Sequence, residues 1–261
     1  MHVPGETTTS MNTEYIIETR NLTKDFSGFI AVNGVDLKVR KGTIHALIGP
    51  NGAGKTTVFN LLTKFLEPSS GQIFYKNKNV TGRNSASLAR RGLVRSFQIS
   101  AVFPHLSVLE NVRVALQRET GTSFHFWTSD NSLNKLNAQA MEALEEVDLA
   151  DYAKAVAVEL PYGRKRALEL ATTLALKPEV MLLDEPTSGM GHEDVGRVME
   201  LIRKVAANRT VLMVEHNLKV VADLSDTITV LQRGQILAEG SYAEVSENPA
   251  VLEAYVGGHH A

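Results

Sequence analysis

The amino-acid sequence predicts an α/β fold: a parallel sheet built around one phosphate-binding loop and covered by helices. Three observations carry that prediction. Gly49-Pro50-Asn51-Gly52-Ala53-Gly54-Lys55-Thr56-Thr57 fits G-x-x-x-x-G-K-[ST] between an apolar run, Ile44 to Ile48, and a helix-like run, Thr57 to Leu66. That strand, loop and helix order is the context in which the pattern cradles phosphate. Two later apolar runs, Val180 to Leu183 and Val211 to Val214, end in Asp184-Glu185 and Glu215-His216, as strands buried on both faces do. Helical spacing fills the chain between them, and strands alternating with helices imply parallel βαβ units.

The elements follow in order. Residues 1–13, rich in Thr, Ser, Gly and Pro, read as a flexible lead-in and are left out of the fold. Tyr15 to Leu22 and Val35 to Val39 read as strands, Asp36 and Lys38 alternating with apolar neighbours, and Lys41-Gly42 turns into the strand that feeds the phosphate loop. Gly71 to Tyr75 follows the turn Pro68-Ser69-Ser70-Gly71, and Leu93 to Phe97 is a further short strand. This makes a β-rich front end. From Ser107 the texture changes. Val108 to Leu116 is helical, Gly121 to Asn131 is a loop holding Phe124, Phe126 and Trp127, and Leu133, Leu136, Ala140, Leu144 and Val147 recur at helical spacing. Residues 99–165 are therefore expected to form a helical insertion, too long for a simple connection. Then come a helix from Gly163 to Leu176, the Val180 strand, a helix from Glu193 to Ala206, the Val211 strand, a helix from Leu218, and a hairpin of Thr227 to Leu231 and Gln235 to Ala238 around Arg233-Gly234. Arg164-Lys165-Arg166 reads as a solvated helix face. Phe124, Phe126 and Trp127 read as local packing of the insertion. The tail, 258–261, contains His259 and His260 and supports no metal site.

Composition narrows the function. Of 261 residues 43% are hydrophobic and 21% charged, ordinary for a globular domain, and the net charge of -2 gives no electrostatic case for a nucleic-acid partner. No Cys is present, which excludes disulfides and thiolate metal sites and fits a reducing compartment. No window holds the ~18 apolar residues of a membrane span, and the N-terminus lacks a signal-peptide pattern. A soluble, cytoplasmic protein is expected, with any membrane role exerted through a partner.

The chemistry converges on a metal-bound triphosphate. Gly49, Gly52 and Gly54 allow a tight turn with inward N–H groups, and the helix beginning at Lys55 adds its positive dipole end. Lys55 suits the β- and γ-phosphates and the Thr56 hydroxyl suits Mg²⁺. Ligands of parallel α/β sheets bind beyond the carboxyl ends of the strands. There Asp184 suits Mg²⁺ and Glu185 a water-orienting general base. A strand-end Asp-Glu pair alone is weak evidence; joined to the phosphate loop it is strong. His216 reaches the γ-phosphate if its strand is a neighbour of the others.

Taken together, the run from Gly49 to Thr57, Gln98 after a strand, Leu160-Pro161-Tyr162-Gly163 opening a helix, the Asp184-Glu185 strand and the strand ending at His216 resemble the ordered motif set of ATP-binding cassette (ABC) ATPases, over residues 14–257. The chain is similar, more narrowly, to ATPase subunits of branched-chain amino-acid (LIV-type) importers. The pointers are Val102 to Val112, the Tyr-Gly form of the signature, and the ending Asn248 to Gly257. The resemblance implies a P-loop NTPase core with a parallel sheet, an N-terminal antiparallel β subdomain and an inserted α-helical subdomain. It implies ATP and Mg²⁺ as cofactors, with Pro50, Asn51, Ala53 and Thr57 sharing the phosphate loop, and Phe26 stacking on adenine. Gln98 is implied at Mg²⁺ and the attacking water. The signature, Leu160 to Arg164, is implied to act on the nucleotide of a second subunit. There the chain departs from the family, with Pro161 and Arg164 at the usual Ser and Gln positions, and Gly191 where many relatives carry Asp. Pro161 lacks a hydroxyl and an N–H, while Arg164 adds a charge that can replace part of that attraction. The implied partners are a second ATPase subunit, in a homodimer or heterodimer, and transmembrane permease subunits that hold the chain at the inner face of the membrane, with a solute-binding protein engaged indirectly. An ATPase of another ABC system, such as one resembling the lipopolysaccharide-export ATPase, and a non-transport ATP switch remain alternatives.

Overall fold

A computed structural model describes residues 14–96, 102–120 and 130–256. In chain order the elements are β1 (Tyr15–Phe26), β2 (Phe29–Val35), β3 (Lys38–Arg40), β4 (Ile44–Ile48), α1 (Lys55–Leu62), β5 (Ser70–Tyr75), β6 (Lys78–Asn79), α2 (Ser85–Ala89), β7 (Leu93–Arg95), α3 (Val108–Thr120) and α4 (Asp130–Glu146). There follow α5 (Tyr162–Leu174), β8 (Val180–Asp184), α6 (His192–Ala206), β9 (Thr210–Val214), α7 (Leu218–Leu224), β10 (Thr227–Gln232), β11 (Gln235–Gly240), α8 (Tyr242–Ser246) and α9 (Pro249–Val256). The chain is α/β, with an antiparallel front sheet, a mostly parallel central sheet and a set of helices between β7 and β8.

The central sheet has the order β11-β10-β4-β9-β8-β7, its strands parallel except for the β11 edge. Every residue of β4, β8 and β9 is buried, because period-2 side chains reach an apolar layer on either side. Ala46, Ile48, Met181, Leu183, Val211 and Met213 pack with residues of α3 to α7. Leu47, Leu182, Leu212 and Val214 pack instead with Val58, Phe59 and Leu62 of α1 and with Ile16, Ile17 and Val39 of the front sheet. That sheet is antiparallel, in the order β2-β1-β5-β6 with β3 also on β1.

Four details depart from the sequence reading. Val35 to Val39 is not one strand: β2 ends at Val35 and β3 begins at Lys38. The gap is filled by Thr19, whose hydroxyl donates to the Val35 carbonyl and accepts from the Leu37 N–H, both at 2.8 Å. The helix after the phosphate loop stops at Leu62, where the Thr63 hydroxyl donates to the Phe59 carbonyl at 2.8 Å and Lys64 turns to φ 59°. Arg166 is not on a solvated face, being 5% exposed and ion-paired with Glu169 on α5. Of the expected loop at 121–131, residues 121–129 lie outside the described residues and α4 already begins at Asp130. Short α2 and α8, each opened by a side-chain cap from Asn84 or Ser241, went unforeseen, as did β6 and α9.

Candidate active site

The phosphate loop leaves the end of β4 with positive φ at Gly49 (149°), Gly52 (77°) and Gly54 (101°). Two of these glycines also lie where no side chain fits: a Cβ on Gly49 would stand 2.2 Å from the Leu231 carbonyl oxygen, and one on Gly54 2.5 Å from that of Ala31. The loop is braced from below, the Gly234 N–H donating to the Ala53 carbonyl at 3.0 Å and the Asn33 N–H to the Gly234 carbonyl at 2.8 Å. Helix α1 then begins at Lys55 with no side-chain cap and no acidic residue in its first turn, so its N–H groups and dipole favour an anion. Asn51, Gly52 and Thr56 are exposed. The Lys55 ammonium donates to the Gly49 and Pro50 carbonyls at 2.7 and 3.0 Å. Burial pulls its pKa below the ordinary lysine value, against the opposing pull of Glu185.

Register brings the other strand tips to the same edge. Leu47 of β4 and Asp184 of β8 both pair with Val214 of β9, so the phosphate loop, Asp184-Glu185 and Glu215-His216 leave three adjacent parallel strands side by side. Glu185 takes a left-handed φ of 45° while its N–H donates to the Val214 carbonyl at 2.9 Å; such strain in a non-glycine residue clusters at active sites. His216 Nδ1 lies 3.9 Å from Glu185 Oε1 and equally far from Glu215 Oε2.

Two residues of this edge were not singled out from sequence. Glu215 is fully buried, and its carboxylate accepts from the Thr187 N–H and hydroxyl, from the His216 N–H at 2.8 Å and from the Asn217 N–H at 3.0 Å. It joins the segment after Glu185 to the one carrying His216. Arg95, at the end of β7, pairs through Nη2 with Asp184 Oδ2 and through Nη1 with Asn60 Oδ1 at 2.6 Å. A charge closing the otherwise apolar Leu93-Val94-Arg95 strand was the available signal.

The remaining expected residues stand apart. Phe26 is exposed at the β1–β2 hairpin, next to exposed Phe29 and with the Lys24 ammonium 5.1 Å from its ring centre. It is therefore no core residue. Pro161 caps α5 without a side-chain bond, following the buried Leu160. The Tyr162 hydroxyl donates to the Ser188 carbonyl at 3.2 Å, and Gly163 is so close to Asp194 that a Cβ would stand 2.8 Å from its carboxylate. Arg164 stacks 4.0 Å over the Tyr152 ring. No hydrogen bond or ion pair joins Leu160 to Arg164 to the phosphate loop among the described residues. Gln98 lies outside the described residues.

The donor set fits a magnesium-bound nucleotide. Thr56 and Asp184 offer hard oxygen ligands, and no group of three or more His, Cys, Asp or Glu capable of holding a metal occurs among the described residues. A metal that keeps several waters and borrows phosphate oxygens suits so small a protein contribution. No helix among the described residues is long and apolar enough to cross a membrane.

The chain is similar to known proteins in sequence and in fold. A family profile described as "ABC transporter" matches residues 32–188, and one described as "Branched-chain amino acid ATP-binding cassette transporter" matches residues 235–261. The chain is 39% identical over 251 residues to the high-affinity branched-chain amino acid transport ATP-binding protein BraF of Pseudomonas aeruginosa, covering 93% of this chain and 98% of that one. It is 36% identical over 249 residues to the corresponding LivG protein of Escherichia coli, with the same coverage. Among solved structures, the ADP conformation of an ATP-binding cassette of an ABC transporter superposes with a TM-score of 0.84 at 28% identity, covering 94% of this chain and all of the other. A nucleotide-free cassette of an ABC transporter gives 0.82 at 29% identity over 92% and 98%. With a family profile spanning more than half its length and relatives of this identity along nearly all of it, the chain belongs to the ABC transporter family and is an ATP-binding cassette ATPase.

Proposed function

We propose that this chain hydrolyses ATP to drive a separate transmembrane permease that imports branched-chain amino acids or related small solutes. The observation that carries the reading is the meeting of the phosphate loop, Asp184-Glu185 and His216 on three neighbouring strand tips. In the proposed roles, Lys55 and the N–H groups of residues 49 to 57 bind the phosphates, and Phe26 stacks on adenine. Thr56 and Asp184 hold Mg²⁺, joined by Gln98; the metal, when bound, neutralises phosphate charge. Glu185 orients water and accepts its proton, and His216 hydrogen-bonds the γ-phosphate. Catalysis is then positioning plus charge neutralisation. Residues 14–257 form one ATPase domain in this reading, with 99–165 as its helical insertion. The signature of one subunit, Leu160 to Arg164, faces the nucleotide of another, in a homodimer or with a related ATPase subunit. Stacking on Tyr152 occupies Arg164, so the lost Ser and Gln contacts are not made good by that side chain without its release. The permease holds the dimer at the inner face of the membrane, and the solute-binding protein acts indirectly.

The test is uptake of labelled leucine by vesicles carrying the permease with wild-type or Glu185→Gln protein. Uptake by the wild type alone, with Glu185→Gln still binding Mg-ATP and turnover lowered by ~10²–10⁴-fold, is expected for loss of a general base. A Glu185→Gln protein hydrolysing at the wild-type rate removes Glu185 from that role. Co-purification with ribosomes, DNA or a lipid exporter in place of an amino-acid permease overturns the transport reading.

A further inference from the structure

Arg95 occupies an unusual position for a charge. It closes β7, the strand at the edge of the central sheet, level with Leu182 of β8, and its side chain is only 17% exposed. The guanidinium has four neighbours: Asp184 Oδ2, Asn60 Oδ1 at 2.6 Å, and the Phe59 and Phe65 rings, centred 6.0 and 5.7 Å away. A planar guanidinium serves two acceptors through a fixed fork while lying against aromatic faces, a pre-organised geometry that a lysine's flexible point charge lacks. One cation therefore ties the helix that follows the phosphate loop to the carboxylate at the tip of β8.

The contact uses one oxygen of Asp184. No hydrogen bond reaches Oδ1 from the described residues, and Lys55 is held by the Gly49 and Pro50 carbonyls. With Oδ2 held by Arg95, Oδ1 is the atom left for a metal. Mostly buried carboxylates need such a partner, because a buried charge without one is strongly unfavourable. We propose that Arg95 is a positioning residue for the metal site: it fixes the Asp184 carboxylate against Asn60 of α1 and presents its second oxygen to Mg²⁺. This rests on the reading of Asp184 and Thr56 as the magnesium ligands. A ligating carboxylate is oriented by its outer hydrogen-bond partner, and loss of such a partner weakens metal binding by ~10–100-fold. Were Arg95 merely a cation competing for Asp184, its removal would tighten metal binding, the opposite sign.

Mn²⁺ serves as the probe. Free Mn²⁺ is followed by electron paramagnetic resonance as it is titrated into the ADP complexes of wild type, Arg95→Gln, Arg95→Lys and Asn60→Ala, with ADP affinity measured separately in chelator. Arg95→Gln is expected to weaken Mn²⁺ binding by ~10–100-fold while metal-free ADP affinity is unchanged. Arg95→Lys should recover part of the loss, and Asn60→Ala should show a smaller loss of the same sign. Unchanged or tighter Mn²⁺ binding in a folded Arg95→Gln protein overturns the proposal. If that variant does not fold, wild-type Mn²⁺ affinity in both Arg95→Lys and Asn60→Ala overturns it equally. Wild-type protein that takes up no Mn²⁺ with ADP defeats the magnesium reading itself, and this proposal with it.

Discussion

A carboxylate with no exposure and its acceptor sites filled is an expensive group to disturb. Glu215 receives the Thr187 N–H and hydroxyl and the N–H groups of His216 and Asn217, so Glu215→Ala strands donors on two segments at once. With each buried unsatisfied group costing about 1–3 kcal/mol, a loss of about 3–5 kcal/mol is expected. Thr187→Val removes one hydroxyl and is expected to cost about 1 kcal/mol. Urea unfolding measures both, and a Glu215→Ala loss no larger than that of Thr187→Val would show that the carboxylate organises nothing. At this scale the sequence was legible for placement where a motif fixes residue type and spacing together, since the phosphate loop and Asp184 do leave neighbouring strand tips. Glu215 escaped because a strand-end carboxylate looks the same whether it caps solvent-facing amides or is sealed inside. Arg166 was misread for a related reason: a run of three charges hides that one of them meets Glu169 one turn on and leaves the solvent.

Elements were legible where periodicity alone sets them, and least so where a neighbour does. The apolar runs of β4, β8 and β9 needed no partner to be recognised. The break between β2 and β3 did, since alternation continues through Asp36 and Leu37 and only Thr19 of β1 marks the gap. The phosphate loop shows the same dependence in three dimensions. Its motif gives the glycines, but the reason Gly49 tolerates nothing larger is the Leu231 carbonyl of β10, 2.2 Å from where a Cβ would stand. Gly49→Ala combines that overlap with a φ of 149°, and a stability loss of about 2–4 kcal/mol together with lost nucleotide binding is expected. Denaturant unfolding and nucleotide titration check it; wild-type values in both would mean that β10 yields freely.

For the molecule as a whole, the central sheet could be read from sequence because its strands are local, continuous and apolar, whereas the front sheet is joined by pairings such as Ile17 with Tyr75 that no local pattern announces. The sheet's burial on both faces has a thermodynamic consequence. His45 lies inside β4, its Nε2 2.8 Å from the Thr229 hydroxyl, which donates in turn to Glu239 at 2.6 Å across β10 and β11. With the Thr229 proton committed to Glu239, His45 donates its own and is neutral. Burial lowers its pKa from 6.5 to about 4. The unfolded chain therefore binds a proton that the folded chain refuses. The stabilisation from this residue is complete above pH 6.5 and is lost as the pH falls toward 4. A shift of that size corresponds to about 3 kcal/mol. Many carboxylates titrate in the same window, so the difference between two proteins isolates His45: unfolding free energies of wild type and His45→Gln at pH 7 and pH 4.5. Wild type is expected to lose about 2–3 kcal/mol more than the variant between the two. Parallel losses would place the charged imidazole comfortably inside the sheet, against what surrounds it there.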